Sequence, residues 1–340
     1  MSIESEGDAI ANVKEPVVRL NSQTTHDIIF TDDTCNWIPD GQLDTDSFKI
    51  DDVITSGFQY IQDVIPAPTQ DGGLIVIDSR GMHQFTSEYR YKFVHLYKQF
   101  PGGYLCVAYF GTNKLILGLV MGKLKIFDPD KAEVSTFGSI LPVGLTEGVE
   151  LAGISVDCQG FVFAGDSKGK AISMFDPDGV YITRVEIDIK PNFLFAHTTE
   201  MKVDLFVSSG STVEMYGVAR KSSYPYYSMK GTAKYIIDEK TEGNFCSGGV
   251  VVRGDKLFLV NKLHDNKNVQ VLQRDEVGGD EERHFIVAVS EDEVDTVKSR
   301  GIKGIAFVDE DKILVYLDDA VYIFKKTKKI LSSINEPAAI

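Results

Sequence analysis

The sequence predicts an all-β fold, a β-propeller of six four-stranded antiparallel blades. Three observations predict it: a four-strand meander at residues 153–181, recurrence of that pattern along the chain, and the regular spacing of the copies. In GISVDCQGFVFAGDSKGKAISMFDPDGVY, GISV is a short strand and DCQG a turn opened by Asp and closed by Gly. FVFAGD is a continuous apolar strand, SKGK a tight turn, AISMF an alternating strand, DPDG a Pro and Gly turn, and VYITRVEI a fourth strand. A lone meander has two open edges and two faces to cover, so copies should pack beside it.

Five copies are found. They are 72–97, 105–137, 193–219, 248–276 and 304–330, and the copy at 105–137 repeats the DPD turn. Aligned on the second strand, the six units begin at Leu74, Leu115, Phe161, Leu205, Leu257 and Ile313, a spacing of 41, 46, 44, 52 and 56 residues. Four strands every 40–50 residues is the period of a propeller blade. A β-sandwich, the competing reading, does not require the same turn chemistry six times.

The expected organisation is an acidic N-terminal arm at 1–57, partly disordered or donating an edge strand, then the propeller at 58–334 and a tail at 335–340. Residues 1–57 hold twelve Asp or Glu against three Lys or Arg, so they carry −9 of the chain's −15 charge. Charge of one sign without apolar periodicity does not support a core. TCNWIPDG, with the only Trp, Trp37, is the expected anchor of the arm. Ring closure requires an outer strand for the last blade, either KILSSI or one donated from 16–20 or 26–30 of the arm, and donation is favoured.

No run approaches the roughly 18 apolar residues of a membrane span, and the N-terminus is acidic where a secretory signal is basic and then apolar. The expectation is an intracellular protein, cytoplasmic or nuclear. Cys35, Cys106, Cys158 and Cys246 lie far apart without CxxC spacing, so reduced thiols and no disulfides are expected.

The repeat resembles the NHL family, whose unit matches here at Gly153, Ile154, Val156, Asp157, Gly160, Val162, Ala164, Asp166, Ser167, Ile172, Phe175, Asp176, Pro177, Asp178 and Gly179. Copies one and two match in part and the last three in outline. No WD dipeptide is present. The resemblance implies a six-bladed ring and includes RNA-binding relatives; six-bladed relatives also include calcium-dependent lactonases with a metal in the central channel.

Propeller geometry sorts charge by face, because loops from strand two to three and from strand four to the next blade emerge together. Those loops carry Arg80, Lys98, Lys123, Lys168, Lys170, Lys190, Lys262, Lys267, Lys298 and Arg300, a candidate basic face for acidic peptides or phosphates, with His83, Tyr97 and His264 as candidate stacking residues. The opposite loops are acid-rich. An insertion at 219–245 interleaves Arg220, Lys221, Tyr224, Tyr226 and Tyr227 and is a candidate partner-binding loop. A second, at 275–300, is acidic and ends in an expected short helix from Glu291 to Arg300.

No catalytic residues and no cofactor are predicted: GxSxG, P-loop and GxGxxG motifs are absent and the histidines share no repeat position. The DPDG turns lack the ligand spacing of a calcium loop. The lactonase-like alternative, implied by the resemblance, would place a hard cation at Glu150, Asn192 and Asn244. The first reading is therefore a non-enzymatic scaffold that recruits a protein partner; RNA is the second candidate ligand.

Overall fold

A computed structural model describes residues 17–19, 36–39, 46–55, 57–67, 73–96, 103–111, 113–129, 131, 133–140, 149–198, 203–209, 212–220, 227–236, 249–253, 256–260, 269–275, 284–285, 287–288, 303–309 and 312–328. The strands, in chain order, are Val17–Arg19 (β1), Asn36–Pro39 (β2), Asp46–Ile54 (β3), Asp63–Ala67 (β4), Gly73–Ile77 (β5), Gly81–Phe85 (β6), Tyr91–Leu96 (β7), Tyr104–Phe110 (β8), Lys114–Leu119 (β9), Lys123–Asp128 (β10), Glu133–Ser139 (β11), Leu151–Val156 (β12), Val162–Asp166 (β13), Ala171–Phe175 (β14), Tyr181–Glu186 (β15), Phe193–Thr198 (β16), Val203–Ser209 (β17), Thr212–Arg220 (β18), Tyr227–Ile236 (β19), Val250–Arg253 (β20), Lys256–Val260 (β21), Val269–Asp275 (β22), His284–Phe285 (β23), Val287–Ala288 (β24), Gly304–Phe307 (β25), Lys312–Tyr316 (β26) and Val321–Lys328 (β27). Among the described residues no helix is long and apolar enough to cross a membrane.

The protein is an all-β propeller of antiparallel sheets. The described strands form six hydrogen-bonded sheets, each built on an up-and-down meander, for example β4-β5-β6-β7 and β12-β13-β14-β15. The first strands β4, β8, β12, β16, β20 and β25 touch one another in turn, and β25 returns to β4. They line a central channel.

Second strands are largely apolar because both of their faces are covered. Along β5, Leu74 and Val76 enter the core shared with β26 and β27, whereas Ile75 and Ile77 enter the core shared with β8 and β9. Along β26, Ile313 and Val315 pack toward β20 and β21, and Leu314 and Tyr316 pack toward β4 and β5. The period-2 direction of side chains thus turns one apolar run into two intersheet cores.

The turns follow their sequence chemistry. Asp176 Oδ1 accepts from the N–H groups of Asp178 and Val180 at 3.0 and 2.8 Å, and Gly179 takes φ +83°. A Cβ on Gly179 would stand 2.5 Å from the Phe137 carbonyl oxygen of β11, so this glycine also lets the turn approach the neighbouring sheet. The DPDG segment is a turn. Asp157 closes the DCQG turn the same way, toward Gln159 and Phe161.

The outer strand of the last sheet is β3, from the N-terminal segment. It pairs antiparallel with β27 from Val321↔Ile54 to Lys328↔Asp46. This corrects the sequence expectation about which segment is donated: Val17–Arg19 instead runs parallel to β19, and residues 26–30 lie outside the described residues, as does KILSSI. Residues 46–54 offer nine strand residues, long enough to match the eight of β27. The Trp37 segment is β2, antiparallel to β22. The Glu291–Arg300 segment lies outside the described residues.

Candidate functional site at the mouth of the central channel

The first strands start at the end of the ring where strand four passes to the next sheet. Their starts enclose a cavity of about 70 Å³ lined by Gln62, Asp63, Cys106, Asn192, Lys303 and Tyr316, among others, a space that holds a few waters.

Asp63 opens β4 and ties three sheets together. Its Oδ2 accepts from the Val107 N–H on β8 at 2.8 Å, and its Oδ1 accepts from the Tyr316 hydroxyl on β26 at 3.1 Å and from the Val64 N–H at 2.9 Å. Burial pushes this carboxyl from 3.8 up to about 6, although all three hydrogen bonds pull it down. Burial also raises the Tyr316 hydroxyl and the Cys106 thiol well above their usual values, so both stay protonated at neutral pH. Lys303 Nζ donates to the Ile61 carbonyl at 2.8 Å, lies 2.5 Å from Asp318 Oδ1 and stands 3.2 Å from the ring centroid of Tyr60, a cation–π contact. The mouth therefore offers a carboxyl that titrates near pH 6 beside a neutral phenol, and it can exchange a proton under mild conditions.

Two predictions follow from this geometry. Because the folded carboxyl of Asp63 titrates above its unfolded value, its contribution to stability is full below about pH 4 and is lost as pH rises through about 6. Chemical denaturation across that range should show a loss on the order of 2 kcal/mol that is missing in Asp63→Asn. Gly304 is the second case, since a Cβ there would sit 2.3 Å from the Tyr316 ring. Gly304→Ala should cost about 2–3 kcal/mol and displace the tyrosine from Asp63, removing a hydrogen bond that pulls the carboxyl down, so the stability lost on the neutral side should grow and shift to higher pH.

The residues proposed for a cation do not converge as described. Glu150 is exposed and engages through its backbone, its N–H donating to Asp166 Oδ1 at 3.1 Å and its carbonyl accepting from Ser167. Asn192 lines the cavity, and Asn244 lies outside the described residues. Among the described residues no three His, Cys, Asp or Glu side chains cluster as a metal site.

The loops holding Arg80, Lys123, Lys168, Lys170 and Lys190 do emerge at the channel-mouth end. Lys98, Lys262, Lys267, Lys298 and Arg300 lie outside the described residues. Lys123, Lys168, Lys170 and Lys190 are exposed, whereas Arg80 is held by Asp78 at 3.4 Å and by the Gly57 carbonyl. The same end carries Glu150, Glu186, Asp188, Asp318 and Asp319, so its charge is mixed where a basic face was expected. His83 does not serve as a stacking residue either: it is buried, with Nε2 2.9 Å from Asp78 Oδ1 and its ring edge-on to Phe58. Tyr97 and His264 lie outside the described residues.

The sequence motif Asp-Ser at the end of the second strand proves architectural. Asp166 Oδ1 accepts from Glu150 and Gly169 N–H groups, and its Oδ2 meets Arg184 at 2.7 Å. In the first meander Asp78 accepts from Gln59, Arg80 and Gly81. Ser79 and Ser167 bond the carbonyls of Gln59 and Glu150 through both backbone and hydroxyl. Each pair clamps the incoming loop to the turn.

The insertion at 219–245 begins inside a hairpin, where Arg220 pairs with Tyr227 at the end of β18 and β19. Lys221, Tyr224 and Tyr226 lie outside the described residues. Among the cysteines, Cys106 is a buried free thiol and Cys158 an exposed one. Sequence reasoning missed Asp63, Tyr316 and Lys303, because each stands alone in its own repeat and they meet only in the ring.

The class of protein that this fold defines is the β-propeller. No protein-family model and no curated protein matches the chain. Among solved structures it is similar to a gluconolactonase-like protein, with a TM-score of 0.60 at 11% identity, covering 86% of this chain and 98% of that one. It is similar to the WD40 repeats of RRP9, with a TM-score of 0.55 at 12% identity, covering 83% and 99%. A third is virginiamycin B lyase from Staphylococcus aureus, with a TM-score of 0.50 at 9% identity, covering 82% and 99%. These likenesses establish the fold.

Proposed function

We propose that the chain is a six-bladed, NHL-like propeller that works as a binding platform and recruits a protein partner through its loops. The observation that carries this reading is where large apolar side chains meet solvent. Among the described residues they are Tyr60, Val120, Met121, Val180 and Tyr181, and every one sits at or beside a turn or intersheet connection. Tyr60 and Met121 take φ of 59° and 67°, conformations that cost a side chain energy and that the surrounding structure must hold. Apolar groups held outward on a rigid scaffold are the usual basis of a protein contact. Solved propellers of similar fold include BBS1N in complex with ARL6DN, which supports a partner-binding role. The mixed charge of the channel-mouth end favours protein over RNA.

Affinity purification of the full chain from its own cells, beside a Tyr60→Ser, Met121→Ser, Val180→Ser, Tyr181→Ser variant with unchanged melting, tests the proposal. The expected result is a partner held by the wild type and lost by the variant; an identical recovery from both overturns it. Recovery of RNA, sensitive to salt and lost with Lys123, Lys168 and Lys170 changed to Glu, would favour the nucleic-acid reading.

A second reading rests on Asp63. A carboxyl near pH 6 at a channel mouth suits a general base for hydrolysis of a small molecule, a role apart from the calcium site that the lactonase alternative placed at Glu150, Asn192 and Asn244. Turnover of a lactone panel that disappears in Asp63→Asn and persists in Lys168→Glu would support it; no turnover by the wild type would remove it.

A further inference from the structure

We infer that the turn Asp176–Tyr181, at the end of the ring opposite the channel mouth, is a docking point for a peptide segment that carries Lys or Arg beside an aliphatic or aromatic residue. The inference rests on the platform reading and assigns it a surface and a partner chemistry. Val180 is 60% exposed and Tyr181 45%, and they are adjacent. The turn that presents them is rigid: Asp176 accepts from Asp178 and Val180 through its carboxylate, and its own N–H donates to the Val180 carbonyl at 3.0 Å. Behind it runs an aromatic file, with Tyr181 edge-on to Phe175 at 5.7 Å, Phe175 beside Phe137 at 6.0 Å and Phe137 edge-on to Phe110 at 5.3 Å. An anchor of that kind loses little freedom when a partner covers it.

Charge selects the partner. Most described bases at this end are already committed to acids; Lys325, exposed on β27, is the exception. Arg90 meets Glu88 at 3.0 Å, Lys114 and Lys131 meet Asp128 at 3.9 and 3.8 Å, and Lys312 meets Asp51 at 3.2 Å. Arg184, the cation nearest Tyr181, is directed to Asp166. Asp176 and Asp178 have no ion-pair partner among the described residues, and Asp178 is exposed. A cationic side chain beside an apolar one would meet both features together, with the aromatic face of Tyr181 adding cation–π attraction.

The test uses the full chain and two immobilised peptide sets, identical in their Leu and Phe positions but carrying Lys and Arg in one and Asp and Glu in the other. The expected result is binding to the basic set that weakens with salt, falls about tenfold in Val180→Ser, Tyr181→Ser and falls again in Asp178→Lys, while Lys168→Glu leaves it unchanged. Asp178→Lys alters only an exposed side chain, so it tests the charge requirement in a folded protein. Preference for the acidic set, binding indifferent to Tyr181 and Asp178, or binding to neither set each overturns this surface. The platform reading falls separately, only if affinity purification recovers no partner that depends on the exposed tips.

Discussion

Deleting residues 1–57 should unfold the ring or lower its melting temperature by more than about 10 °C. The reason lies in β3. It supplies the outer strand of the last sheet through eight register pairs with β27, and Ile54 is buried in the core between the last and first sheets together with Phe58 and Ile61. Without it, β27 becomes an unpaired edge beside an opened core. A deletion of 1–45 keeps β3 but removes β1 and β2, which pair with β19 and β22, and should melt between the long deletion and the intact chain, and an added peptide spanning 44–57 should restore part of the loss in the long deletion. Thermal unfolding followed by circular dichroism checks all three; equal melting of the long deletion and the intact protein would remove β3 as a structural strand.

The second large effect is expected at Asp166 and Asp78. Both side chains are almost fully buried, at 1% and 0% exposure, and each carboxylate collects backbone N–H groups from two separate loops. Asp166→Ala leaves the N–H groups of Glu150 and Gly169 and the Arg184 guanidinium without their acceptor, a loss of about 3–5 kcal/mol. Asn retains one acceptor oxygen and should recover part of that. Burial alone would raise the Asp78 carboxyl, but His83 and the N–H groups of Gln59 and Arg80 outweigh it and bring the group down to about 2. A folded value below the unfolded 3.8 means that the stabilisation is present above about pH 4 and is lost as pH falls toward 2. Asp63 has the opposite sign. Together they place maximum stability at about pH 4, and a urea-denaturation series over pH 2–8 on wild type, Asp78→Asn and Asp63→Asn separates the acid limb from the neutral one.

The Asp-Ser pair shows how reading and structure divide. As part of the NHL-like pattern, Asp166 and Ser167 were legible as a repeated feature, and their recurrence as Asp78 and Ser79 marks equivalent positions. That they clamp the preceding intersheet loop was not legible, because the partners Glu150 and Gln59 lie upstream in connections with no pattern of their own. Lys168 and Lys170 stand in the turn between β13 and β14, at the channel-mouth end. The acids Glu186, Asp188, Asp318 and Asp319 share that end, and it is their addition that turns a basic face into a mixed one. His83, which looks like a loop residue in the sequence, is strand residue 3 of β6 and faces inward, since one step along a strand reverses a side chain's direction.

The chain alone determined strands, turns and their repetition. Those are set locally, by period-2 alternation and by Asp, Pro and Gly at fixed offsets, and both second faces of each apolar strand demand neighbouring sheets. Only the tertiary structure decided which N-terminal segment pairs with β27 and which side chains share the channel mouth. Asp63 and Tyr316 are 253 residues apart, and a hydrogen bond between them depends on the first and last sheets meeting, a condition that no local pattern encodes. The Asp63 carboxyl is held near pH 6 by the burial that this meeting creates, so its chemistry belongs to the ring rather than to its repeat.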